Sequence, residues 1–205
     1  MRKFLFLFLL LTCVSATGSE RPNILVLGDS LSAGYGMDVD QSWPTLLQLR
    51  LEEQGYEHRV INASISGETT EGGAARIDDA LDRFAPELII LELGANDGLR
   101  GFPPARLQEN LEKIITAGKE TGAAVVLLGI RIPLNYGPRY SAEFEDTFRT
   151  VAAAQDIPWI EFFMDGIALN MALLQDDGIH PNIEAQPLLL DNAWPIISAS
   201  LKGGD

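Results

Sequence analysis

The sequence predicts a three-layer α/β/α sandwich built on a five-stranded, mostly parallel sheet. Two observations carry that prediction. Short apolar runs recur along the chain, as strands buried on both faces require, and stretches with apolar residues at helical spacing alternate with them. The runs are Asn23-Ile24-Leu25-Val26-Leu27, Arg59-Val60-Ile61-Asn62, Leu88-Ile89-Ile90-Leu91-Glu92-Leu93, Ala124-Val125-Val126-Leu127-Leu128 and Ile157-Pro158-Trp159-Ile160. Between them, Ile77, Leu81 and Phe84 share one helical face, as do Leu107, Leu111, Ile114 and Ile115, and again Phe144, Phe148 and Val151. In such a sheet ligands gather beyond the C-terminal ends of the strands. The residues that follow each run are therefore where a site belongs.

The chain opens with Met1-Arg2-Lys3, an almost unbroken apolar run from Phe4 to Leu11, and small residues up to Ala16. This pattern reads as a secretory signal peptide over residues 1–16, cut after Ala16, which leaves residues 17–205 as a single domain. The run is shorter than the roughly 18 apolar residues that a bilayer span requires. Leu10-Leu11-Thr12-Cys13 has the outline of a lipid-attachment box, although threonine stands where Gly, Ala or Ser is usual. A lipoprotein is thus the rival to a cleaved, soluble product in the periplasm or outside the cell.

Charge and composition exclude several classes of function. The formal net charge is −14, and the leader holds Arg2 and Lys3 but no acid, so the remainder is more acidic still. Such a surface is well hydrated and repels nucleic acid and anionic lipid; neither a nucleic-acid partner nor stable membrane insertion is expected. The chain has 2 histidines and 1 cysteine, Cys13, inside the leader. A His/Cys zinc site lacks ligands, and a disulfide framework or cysteine nucleophile lacks thiols. No cofactor is expected, and serine is the nucleophile left to consider.

A hydroxyl is a weak nucleophile until a base removes its proton, and an imidazole serves best when a carboxylate fixes its tautomer. Gly28-Asp29-Ser30-Leu31 follows the first run and supplies Ser30; Asp177-Gly178-Ile179-His180, before the last helix, supplies acid and base. The three-residue spacing returns the Asp177 carboxylate to the His180 imidazole, with Asp176 the rival orienter. His58, on the polar approach to the second strand, is expected at the surface without a catalytic part. Attack on an acyl carbon creates an oxyanion that preorganised N–H donors must stabilise. The backbone N–H groups of Ser30 and Gly67 and the side-chain amide of Asn96 would converge from the ends of strands one, two and three. Taken singly, Ser30 is also good turn chemistry, Gly67 a flexible glycine and Asn96 a loop cap; it is their conjunction at strand ends that signals a site. Leu31, Phe102, Ile132 and Ile179 flank these segments and are candidates for an acyl pocket. A long, turn-rich loop through Asn135, Tyr136, Gly137, Pro138 and Arg139 is expected to flank the cleft.

These segments resemble the GDSL or SGNH hydrolase family, whose serine, glycine, asparagine and histidine match Ser30, Gly67, Asn96 and His180, with Asp177 completing the triad. The resemblance runs from about Asn23 to about Ser198. It rests on Gly28–Gly36, Asn62–Thr69, Gly94–Gly101 and Asp176–Pro181. Ile130-Arg131-Ile132-Pro133 and Asn135-Tyr136-Gly137 further resemble the periplasmic thioesterase, arylesterase and lysophospholipase subgroup of Gram-negative bacteria. What this implies is a flavodoxin-like sheet and broad specificity for small-molecule acyl esters, thioesters or lysophospholipids. A carbohydrate acetylesterase would use the same site. A non-catalytic flavodoxin-like module holding a nucleotide or flavin is the alternative from another class, but Ser66-Gly67-Glu68-Thr69-Thr70 lacks the P-loop spacing and its lysine.

Overall fold

A computed structural model describes residues 21–201; the leader, its cut after Ala16 and Cys13 lie outside the described residues. Five strands, β1 (Asn23–Gly28), β2 (Arg59–Asn62), β3 (Pro86–Glu92), β4 (Ala124–Leu128) and β5 (Trp159–Ile160), form one sheet in the order β2-β1-β3-β4-β5. Every neighbouring pair is parallel. This is the flavodoxin-like order, in which the winding reverses beside β1 and leaves a crevice at the strand ends.

The central strands are buried on both faces because a helical layer covers each. Leu25 of β1 stands in register with Ile61 of β2 and Ile89 of β3, and Ile24 to Leu27 and Ile89 to Leu91 are wholly buried. Burial of each such side chain stabilises the fold by about 1.5–3 kcal/mol. Helices α3 (Thr70–Phe84), α5 (Pro104–Glu120) and α6 (Pro138–Gln155) pack side by side, and α2 (Trp43–Glu53) packs against α7 (Gln186–Ser200). Two short helices, α1 (Ser30–Ala33) and α4 (Ala95–Leu99), sit directly after β1 and β3. The expected apolar faces of α3, α5 and α6 point into the core, with Phe84 half-buried at its edge.

Four details differ from expectation. Helix α2 was not anticipated; Trp43, Leu47 and Leu51 form its buried stripe, and Trp43 N donates to Gln186 Oε1 at 3.0 Å, joining α2 to α7. The stretch from Asn135 to Arg139 is not a long loop. Leu134–Tyr136 form one 3₁₀ turn and Pro138 starts α6, since proline suits a first helical turn and Gly137 takes φ 101° ahead of it. β5 shrinks to two residues, consistent with the missing N–H of Pro158, whose carbonyl still accepts from Leu127 N at 3.0 Å. His58 is not at the surface: it is 4 % exposed, packed edge-on to Tyr56, with its carbonyl held by Gln48 of α2.

Candidate active site

The turn after β1 places Ser30 at the head of α1. Asp29 caps that helix, its Oδ1 accepting from Leu31 N at 3.0 Å, and Gly34 ends it in the left-handed conformation. The backbone passes close to the sheet because Gly28 carries no side chain: a Cβ there would meet Glu92 Oε2 and Ser32 Oγ at 2.7 Å. The hydroxyl of Ser30 is thereby lifted to the rim at the C-terminal ends of the strands.

His180 reaches Ser30 from a loop 150 residues away in sequence. That loop is stitched on itself: Leu174 and Pro181 form an antiparallel bridge, Gln175 N donates to His180 O at 2.8 Å, and Gly178 N donates to Gln175 O at 2.9 Å. Within it, Asp177 Oδ1 accepts from Ile179 N at 2.9 Å and His180 N at 3.0 Å, while Oδ2 lies 2.6 Å from His180 Nδ1. Bonds from the His180 backbone and ring, then from Ile179 N, push the Asp177 carboxyl down to about 2. An ionised carboxylate only accepts, so the proton between them belongs to Nδ1, and Nε2 keeps a lone pair toward Ser30 Oγ at 2.9 Å. Asp176, the rival orienter, is exposed and lies outside this network. His58 stands at the opposite, N-terminal end of β2.

Gly67 and Asn96 occupy the ends of the neighbouring strands. Gly67 takes φ 80°, and its carbonyl accepts from Arg100 Nη2 at 2.9 Å. Asn96 lies in α4, and its Nδ2 donates to Asp29 Oδ2 at 3.0 Å. The two segments are tied together one residue further on, where Asp97 accepts from Thr70 N at 2.9 Å and Thr70 Oγ1 at 2.5 Å. Arg100 and Asp29 went unread as site residues, although both lie inside the motif segments; their signal is a charged group beside a proposed donor.

A cavity of about 320 Å³ is lined by Leu31 and Ile179, the chain neighbours of Ser30 and His180, and by Ile132, all three as expected, and also by Tyr136, Phe162 and Met164. Leu31 and Ile132 are buried side chains that form its inner wall, and Ile179 is 52 % exposed at its mouth. Phe102 does not line it. The chain turns after α4, so that Phe102 is half-buried beneath the Arg106 guanidinium, 5.4 Å from its ring centroid, and its carbonyl holds Tyr140 Oη.

Residues 26–186 match the model of the GDSL-like lipase/acylhydrolase family. The chain belongs to that family. An arylesterase of Vibrio mimicus is 48% identical over 179 residues, covering 87% of this chain and 90% of that protein. The thioesterase 1/protease 1/lysophospholipase L1 of Escherichia coli strain K12 is 42% identical over 186 residues, covering 91% of this chain and 87% of its own length. A crystal structure of TesA superposes with a TM-score of 0.85 at 47% identity, covering 87% of this chain and 99% of that one. The chain is accordingly an esterase on an SGNH-type α/β fold.

Proposed function

We propose that this esterase works through an acyl-enzyme on Ser30 and accepts a broad range of acyl esters and thioesters, including aryl esters and lysophospholipids. The observation that carries the reading is the relay from Asp177 through His180 to Ser30, with spacings of 2.6 and 2.9 Å, whose chain neighbours Leu31 and Ile179 line an apolar cavity. His180 Nε2 takes the Ser30 proton as Oγ bonds to the acyl carbon. The oxyanion is met by the N–H groups of Ser30 and Gly67 and by Asn96 Nδ2, and each such donor is worth about 10²–10³ in turnover. His180 then protonates the departing alcohol or thiol, and water, activated by the same imidazole, releases the acid and restores Ser30. Leu31, Ile132 and Ile179 hold the acyl chain.

The leader at residues 1–16 supports export to the periplasm or beyond, and among the described residues no helix is long and apolar enough to cross a membrane. The test is hydrolysis of p-nitrophenyl esters from acetyl to palmitoyl, beside palmitoyl-CoA and lysophosphatidylcholine, with Ser30→Ala as control. Activity extending to longer chains and lost in the variant is the expected result. A folded Ser30→Ala protein with full activity sinks the acyl-enzyme, and activity confined to acetate transfers the reading to a carbohydrate acetylesterase.

A further inference from the structure

Directly beneath the proposed nucleophile lies a pair of wholly buried carboxyls, Asp29 and Glu92. Each has different partners. Asp29 Oδ1 accepts from Leu31 N at 3.0 Å and Oδ2 from Asn96 Nδ2 at 3.0 Å. Glu92 Oε2 accepts from Ser32 Oγ at 2.6 Å and from Asp29 N at 3.3 Å, while Oε1 is buried without a partner among the described residues. Trp43 Nε1 donates to Ser32 Oγ at 3.2 Å, so the Ser32 hydroxyl turns its own proton toward Glu92.

Buried carboxylates that feel each other's charge resist ionising together. Burial, reinforced by the charge of Asp29, drives the Glu92 carboxyl well above its usual range, whereas burial lifts Asp29 only to about 6 against its hydrogen bonds. The other titratable groups that act on Asp29 are His180 and Asp97. Asp29, with an N–H donor on each of its oxygens, is the member of the pair that the site favours as the anion, while burial pushes Glu92 toward its neutral form.

A charged carboxylate accepts and never donates, which dictates how the Asn96 amide is turned. Were the amide reversed, its oxygen would face the Asp29 oxygen and the oxyanion would meet a lone pair in place of an N–H. We propose that Asp29 is a positioning residue that locks Asn96 with its NH₂ group toward the reacting centre. This rests on the oxyanion role given to Asn96 above. Asp29→Asn is nearly isosteric and still caps α1, but its NH₂ group meets that of Asn96 and favours the reversed amide.

The test is a double-mutant cycle on a p-nitrophenyl butyrate assay with Asp29→Asn, Asn96→Ala and the double variant, and Ser30→Ala alongside. Asp29→Asn is expected to lower kcat about 10²-fold, close to the loss in Asn96→Ala, with KM changed by less than about twofold. In the Asn96→Ala background the Asp29 change adds less than about threefold, because a residue acting through another has nothing left to position. Wild-type kcat in Asp29→Asn, or losses that multiply in the double variant, overturns the proposal. An active Ser30→Ala protein overturns the acyl-enzyme reading instead, which keeps the two failures apart. Should Asp29→Asn not fold, the side-chain amide resonances of Asn96 are followed with pH in His180→Ala protein. They shift as Asp29 titrates if the contact positions the amide, and constancy across the titration overturns it.

Discussion

The ring of Tyr35 lies over the imidazole of His180, with centroids 4.3 Å apart and planes tilted by 35°. Its backbone carbonyl is held by Gln175 Nε2 at 2.8 Å, so the cover is anchored to the loop that carries the histidine. An aromatic contact of this kind is worth about 0.5–1.5 kcal/mol. Tyr35→Ala is therefore expected to lower kcat by up to about tenfold as the imidazole gains freedom, while Tyr35→Phe keeps the ring and the rate. Steady-state kinetics on one short-chain ester distinguishes the two.

Asp177→Asn tests the tautomer argument. An amide in place of the carboxylate can present NH₂ to Nδ1 and leave the proton on Nε2, where it blocks the proton transfer from Ser30; by analogy with other triads kcat falls about 10⁴-fold. The same carboxyl sets a pH effect on stability. Its folded value, about 2, lies below the ordinary 3.8, so its contribution is present above the ordinary value and is lost as pH falls from 3.8 through 2. Thermal melts over that window should fall more steeply for the wild type than for Asp177→Asn.

Ala168 lines the apolar cavity together with Leu31 and Ile179. Ala168→Trp is expected to fill it and cut kcat/KM for a decanoyl ester by at least about tenfold relative to the acetyl ester, since each methylene seated in an apolar pocket is worth about 1–3 kcal/mol. Equal loss on both esters would show that the chain binds elsewhere.

His58 gives a prediction away from the site. Burial pulls its imidazole below the ordinary 6.5, against the opposing charges of Glu87 and Glu57. The folded state thus resists a proton that the unfolded chain accepts, and stability falls as pH drops below 6.5. His58→Phe removes the titrating group and is expected to remove that component of the slope, read from denaturant midpoints between about pH 7 and about pH 5.

Ser30, Gly67 and Asn96 were legible because each sits within a few residues of a strand end, and strand ends follow from apolar runs. Asp177 and His180 were readable as a pair from their spacing alone. What escaped depends on contacts between segments distant in sequence. His58 reads as polar and exposed until α2, with Gln48, covers the start of β2. Phe102 stands next to a motif, but adjacency says nothing of direction, and the turn after α4 points it at Arg106. Glu92 interrupts the apolar run of β3 and reveals a partner only once Ser32 and Asp29 are packed against it. A buried ionisable side chain inside a strand is the kind of local conflict that marks a functional element.

The loop closed by the Leu174–Pro181 bridge holds its acid and base through bonds made entirely within the loop. Aligning three groups across a fold is ordinarily a three-body problem; here two of them arrive as a preassembled unit, and a single docking distance, from Nε2 to Ser30 Oγ, remains to be met. An error in how the loop seats shifts acid and base together and leaves their mutual geometry intact. Changes in the distant core are then felt as a graded loss of contact with the serine, and only changes inside the loop can separate the pair.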